Sequence, residues 1–213
     1  MSNPRTFEEF VDRINFQSAW RKKELSAYKN RIDSSSGPER VTLIRGAITM
    51  LYAHWEGFTK ESGRVYLMLV SELVKRRKLT FKDLPVNILS ACIWSDANLK
   101  EPSLRSLVEH LDERFNLKIG LEIPIDGILR TRSNLNSHAL KEIICVLGIN
   151  YLPYASKEKF LDERLLDARN AIAHGEFKII EIADYLDFHG AVIELIDMFK
   201  NDIENVGSIW FTP

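Results

Sequence analysis

Apolar residues along this chain recur at three- and four-residue intervals rather than in alternation, a pattern that predicts helices along most of its length. The first such stretch carries Phe7, Phe10, Val11 and Ile14 and is expected to run to about Asn30. It opens on Thr6-Phe7-Glu8-Glu9, a capping box in which Thr6 and Glu9 satisfy free backbone donors. Asp33-Ser34-Ser35-Ser36-Gly37-Pro38 then gathers turn formers and breaks the period. Ser36 and Glu39 make a second box, and from Glu39 to about Lys78 runs the longest periodic segment. Its apolar positions are Val41, Ile44, Ala47, Ile48, Leu51, Trp55, Phe58, Val65 and Leu69. Gly46, Thr49, Ala53 and Gly57 form a row of small residues on the same segment, suited to close approach by another helix of the subunit or of a dimer mate.

Leu79 to Pro102 is less regular, with a shorter helix expected around Ile88, Leu89, Cys92, Ile93 and Trp94. Ser103 begins another helix through about Phe115, with Leu104, Leu107, Val108 and Leu111 on one side. Leu117 to Ile128, with two glycines and Pro124, is the one place where a short hairpin fits. Ser137 or Asn134 is read as the cap of a helix ending at Gly148. A helix from about Lys157 to His174 buries Phe160, Leu161, Leu165, Ala168 and Ile172. Asp184 is read as the cap of the last one, which carries Leu186, Val192, Ile193, Leu195, Ile196 and Phe199. Together these elements predict an all-α bundle.

Composition narrows the function classes. A chain of 213 residues is long enough to bury a real core, and 45% hydrophobic with 28% charged residues is ordinary for a globular protein. A formal net charge of −1 argues against a broad basic surface for duplex nucleic acid, while leaving room for a local site on a few phosphates. Cys92 and Cys145 are far apart in apolar runs and read as buried free thiols of a reducing compartment. Glu8, Glu9, Asp12 and Arg13 interrupt the first apolar residues, so no signal peptide is read there, and no apolar run reaches membrane-spanning length; a cytoplasmic protein is expected.

The chemistry concentrates in Arg169-Asn170-Ala171-Ile172-Ala173-His174-Gly175. Arg supplies a rigid fork of donors for phosphate, and His moves protons near neutral pH. Asn170 and His174, four apart, share one helix face, and Gly175 is placed to stop the helix and leave His174 in an exposed last turn. The plain alternative is a solvated Arg and a His favoured by the negative end of a helix. His54 falls on the apolar stripe of its helix and is read as a core histidine or, alternatively, as lining a catalytic cleft. Glu56 is expected to be solvated or paired with Lys60. His138 and Glu142 lack a third ligand for a metal. Lys75-Arg76-Arg77-Lys78 reads as cations at a helix C-terminus or as a patch for an RNA backbone.

The Arg169-to-His174 segment resembles the Arg-x4-His signature of the HEPN superfamily. Leu51-Tyr52-Ala53-His54-Trp55-Glu56-Gly57-Phe58 and Ser133-Asn134-Leu135-Asn136-Ser137 resemble a prokaryotic branch of it found in defence and toxin–antitoxin loci. The three stretches stand in the expected order between Gly37 and the C-terminus. The resemblance implies a four-helix up-and-down bundle with additional helices, residues 37–213 forming the HEPN-like domain and residues 1–36 an N-terminal helix and linker. It implies Arg169 and His174 as catalytic residues with Asn170 in support, no metal and no other cofactor, and a homodimer whose two motifs line one cleft. The activity it implies is a metal-independent endoribonuclease that cuts single-stranded RNA through the substrate's own 2′-OH, serving as a toxin or antiphage effector. The alternative is a non-catalytic HEPN subunit that dimerises or holds a partner such as an antitoxin or another defence protein. Some HEPN toxins carry, two residues after the His, a Tyr that a partner modifies with AMP. This chain has Glu176 there, which puts that route of silencing in doubt and leaves Glu176 as a candidate cleft-lining residue beside His54.

Overall fold

The computed structural model describes residues 3–95, 105–106, 108–109, 112, 123–129 and 134–212. The principal helices are α1 (Phe7–Asp33), α2 (Gly37–Arg77), α3 (Val86–Ser95), α4 (Ser137–Leu147), α5 (Asp167–Ala173) and α6 (Ile182–Ser208). Single helical turns lie at Ile125–Ile128 and Leu152–Ala155, and a π-helical stretch, Phe160–Leu166, feeds directly into α5. The fold is all-α, as expected, with no strand among the described residues. Of the expected hairpin, residues 123–128 are described, and Ile125–Ile128 among them is a helical turn held by Ile128 N–H donating to Pro124 O at 3.1 Å. Most of the helix expected from Ser103 to Phe115 lies outside the described residues.

Local chemistry explains where the elements begin and end, with four departures. Thr6 Oγ1 accepts from Glu9 N at 3.1 Å, but Glu9 Oε2 takes the amide of Arg5 at 2.7 Å, one residue earlier than a standard box. Ser36 caps α2 without a side-chain bond, and the Glu39 carboxylate, in place of the Ser36 N–H, pairs with Arg31 of α1, 2.5 Å away. Asn136 caps α4, its Oδ1 accepting from Ala139 N at 2.8 Å; Ser137 and Asn134, the expected caps, are engaged elsewhere. α6 starts at Ile182, so Asp184 sits in its first turn, 3.6 Å from Arg164, and does not cap it. Gly148 ends α4 at φ 76°, as its position in the sequence suggests.

α1, α2 and α6 pack against one another around a single core in which Phe10, Ile14, Ile48, Leu51, Trp55 and Phe199 are fully buried. Phe199 meets the rings of Trp55 and Phe58 edge-on, each with centroids 6.1 Å apart, the geometry aromatic quadrupoles favour. Among the described glycines the least room is at Gly207 of α6, where a Cβ would stand 2.4 Å from the Phe10 ring. The row of small residues on α2 behaves differently. Gly46 has nothing within 4 Å and Ala53 is exposed, while Gly57 makes room for the Arg21 guanidinium. Arg21 is therefore buried, over the rings of Trp20 and Phe58. Cys92 is buried but Cys145 is exposed, correcting the expectation of two buried thiols; both are free. None of the described helices is long and apolar enough to cross a membrane.

Candidate functional site

Arg169 projects from α5 onto α2 and the approach to α4, and three groups fix its guanidinium. Nη1 donates to Asn134 Oδ1 at 3.0 Å and to Asn170 Oδ1 at 2.7 Å. Its Cζ lies 4.6 Å from the ring centroid of Tyr52, a cation–π contact from the middle of α2. Tyr52 is itself held, since its hydroxyl accepts the buried N–H of Leu135 at 2.7 Å and bonds to Glu56. Burial first, and then the Glu56 carboxylate, push the Tyr52 hydroxyl up to about 12, so the ring stays a neutral phenol at physiological pH. Glu56 is mostly buried and pairs with Lys60 at 2.7 Å, so of the two expectations for it the pairing applies.

The approach to α4 is fastened twice to this one helical stretch. Asn134 takes Arg169, and Asp162 of the π-helical stretch accepts from Ser137, both its N–H at 2.7 Å and its hydroxyl at 2.5 Å. Each of the three stretches that carry the resemblance thus contributes to one cluster: Tyr52, Asn134, and Arg169 with Asn170.

α5 ends as the Gly in its motif requires. Gly175 adopts φ 79°, its N–H donates to Ile172 O at 3.1 Å, and Glu176 N–H reaches back to Ala171 O at 2.9 Å, a Schellman closure. His174 is the capping residue, its N–H on Asn170 O at 2.9 Å and its imidazole exposed. Asn170 therefore serves both neighbours, with its side chain on Arg169 and its carbonyl on the His174 backbone. Beyond the motif, Arg45 of α2 clamps the chain by donating to the carbonyls of Glu176 at 2.9 Å and Lys178 at 3.0 Å. Phe177 and Ile179 alternate with the clamped residues and stand 82% and 59% exposed.

Compared with known families, residues 17–205 match the family model RiboL-PSP-HEPN. The chain belongs to this HEPN family. No curated protein and no solved structure matches it. The matched span begins inside α1, and in this HEPN chain α1 shares the core with α2 and α6.

The other residues singled out in the sequence lie apart from the Arg169 cluster. His54, two residues from Tyr52, faces α1: Nε2 is 2.8 Å from Glu24 Oε2 and the ring meets Trp20 at 5.2 Å. That is the core-histidine reading, since two positions along a helix turn a side chain by about 200°. Burial lowers the His54 pKa, Glu24 opposes the shift, and Arg21 adds to it. Glu176 is exposed and enters the site through its backbone alone. His138 and Glu142 are exposed and 3.9 Å apart, an i,i+4 surface pair. Sequence reasoning passed over Tyr52 and Arg45 and took Asn134 for a cap. Tyr52 and Asn134 lay inside the quoted stretches, but no local pattern marks a ring or an amide as partner to an arginine more than thirty residues away.

Proposed function

We propose that this protein is a HEPN endoribonuclease that cuts single-stranded RNA with Arg169, Asn170 and His174 and needs no metal ion. The observation that supports it is the three-sided fixation of Arg169 by Tyr52, Asn134 and Asn170, one turn before an exposed His174. An arginine locked by packing and hydrogen bonds is prepared to hold phosphate oxygens without reorganising as charge builds on them. Only Nη1 is used by the asparagines, which leaves the rest of the guanidinium fork for a phosphate.

The bond changes balance as a transesterification. His174 takes the proton of the 2′-OH, the 2′-oxygen bonds to phosphorus, and the bond from phosphorus to the 5′-oxygen breaks. The departing oxygen takes a proton from a general acid, giving a 2′,3′-cyclic phosphate and a 5′-OH. Assistance of this type is worth about 10²–10⁴-fold. One imidazole is poorly placed to be base and acid at once, so the reading includes a homodimer with two His174 residues facing one cleft. Exposed Phe177 and Ile179 beside His174, and the uncovered Gly46, support a second copy on that side.

The biological role that fits such an activity is a toxin or antiphage effector working on loops of transfer or messenger RNA. A net charge of −1 favours the second reading, a non-catalytic subunit that holds a partner such as an antitoxin. Incubation of purified protein with total RNA in EDTA, followed by end-group analysis, separates the two. Chelator-resistant cuts ending in a cyclic phosphate, each blocked by a single 2′-deoxy substitution, are expected. Cuts that leave a 3′-OH, or that persist at the deoxy position, overturn the mechanism.

A further inference from the structure

The far end of α2 gathers cations that the motif chemistry does not use. Lys75, Arg76, Arg77 and Lys78 are all exposed there, and Arg5 joins them from the segment before α1 with 70% of its side chain exposed. Two of them are held in place: Arg76 Nη1 donates to Arg5 O at 2.8 Å, and Arg77 Nη2 to Trp210 O at 2.7 Å. Aromatic rings are interleaved with the guanidinium groups. Arg77 Cζ lies 5.9 Å from the Phe211 ring, Phe211 lies 5.7 Å from Phe7, and Trp210 Nε1 donates to Tyr66 OH at 3.1 Å.

Two cavities open on either side of Arg77. One, of about 440 Å³, is lined by Arg5, Phe7, Arg76 and Phe211. The other, of about 330 Å³, is lined by Tyr66, Asn87, Leu147 and Trp210. The nearby carboxylates are largely engaged: Glu9 on the Arg5 amide, Glu72 3.8 Å from Arg5, and Asp83 on Thr80.

We infer that this end of the bundle is a second binding site for single-stranded RNA, anchoring the strand away from the point of cleavage. Guanidinium groups take phosphates, and ring-lined cavities accept unstacked bases without reading their sequence. Neutralising the pull of α2's C-terminal carbonyls accounts for some cations there, but not for rings and paired cavities around them. Arg77 lies about 37 Å from Tyr52 along α2, at about 1.5 Å per residue. A strand of about four nucleotides therefore reaches one site and not both, whereas one of about twenty reaches both. The choice of RNA as occupant rests on the ribonuclease reading, and the test separates the two.

Arg76→Glu/Arg77→Glu is compared with wild type, with Lys75→Glu/Lys78→Glu, whose side chains hold no carbonyl, and with Arg76→Lys/Arg77→Lys. Binding is measured with an uncleavable 2′-O-methyl RNA of about twenty nucleotides, and cleavage with an RNA of about four. Both charge reversals are expected to weaken long-RNA binding about tenfold and to reduce the salt slope by roughly 1.4, the loss of two single-strand phosphate contacts. The lysine pair should bind nearly as wild type, and cleavage of the short RNA should not change. Unaltered long-RNA binding in the folded charge reversals overturns the anchor, and if the short RNA is still cut the ribonuclease reading stands. Lost long-RNA binding with no cleavage of the short RNA by wild type supports the anchor and counts against the ribonuclease reading. Binding to phosphatidylserine vesicles that is lost with the same reversals, with no RNA bound by wild type, overturns the anchor in favour of a membrane surface.

Discussion

Tyr52 performs two separable tasks, and substituting it in two ways tells them apart. Tyr52→Phe keeps the ring beneath Arg169 but removes the hydroxyl that accepts the Leu135 N–H at 2.7 Å. Leu135 is 1% exposed, so water cannot replace the lost acceptor, and the orphaned amide costs about 1–3 kcal/mol of stability. The cation–π contact survives, so cleavage per folded molecule should stay within a few-fold of wild type. Tyr52→Leu loses the ring as well. Removing a largely desolvated cation–π contact is worth about 0.5–2 kcal/mol. At about 1.4 kcal/mol per tenfold, that is a rate loss of roughly 2- to 30-fold if Arg169 binds the transition state. The variants are compared by urea unfolding and by cleavage rate at saturating RNA, normalised to folded protein. Equal normalised rates for the two would refute the claim that the ring positions Arg169. A Tyr52→Phe protein as stable as wild type would refute the claim that the hydroxyl holds the approach to α4.

Three further outcomes follow from the same geometry. His174→Ala should abolish cleavage with a stability change of no more than about 1 kcal/mol, because it opens no cavity; Arg169→Lys should also be inactive, having lost the fork, and activity in either would remove that residue from the mechanism. Gly175→Ala should cost about 1–2 kcal/mol in thermal unfolding from the φ of 79° alone, since a Cβ there meets nothing within 4 Å, and a neutral effect would mean that the Schellman closure is not limiting. Burial holds His54 and His189 below the ordinary imidazole range, with Glu24 opposing the shift at one and Lys29 adding to it at the other. Their contribution is therefore complete above about pH 6.5 and is lost as pH falls through the lower folded-state values, so the urea midpoint should drop on acidification and His54→Gln should flatten the drop. An unchanged profile in that variant would refute the assignment.

The long helices were legible because each buries one continuous stripe, and periodicity records that directly: α1 and α2 lie within a few residues of their expected ranges. Gly148 and Gly175 were legible because a positive φ is demanded where they stand. The cap of α4 was not. Asn134, Asn136 and Ser137 are all capable caps, and Asn136 is left with the task because Arg169 occupies Asn134 and Asp162 occupies Ser137. Arg21 stands in a run of cations, and its burial depends on room left by Gly57 and on two aromatic faces supplied from α1 and α2. Tyr52 beneath Arg169 is a contact between distant segments that no local spacing encodes.

The π-helical stretch Phe160–Leu166 adds a consequence about register. Its turns close one residue later than α turns, so the chain between Asp162 and Arg169 works as a gauge with a set length. At one end Asp162 grips Ser137, and at the other Arg169 grips Asn134, both on the same short approach to α4. Deleting Ala168, between the stretch and Arg169, would leave the π turns in place and would turn everything after it by about 100° relative to Asp162. Arg169 would leave the Tyr52 ring and Asn134 while Arg169-Asn170 and His174-Gly175 remained unchanged in the sequence. Among chains with an identical motif, the number of residues between the motif and its upstream anchor therefore decides whether the arginine arrives where it is held.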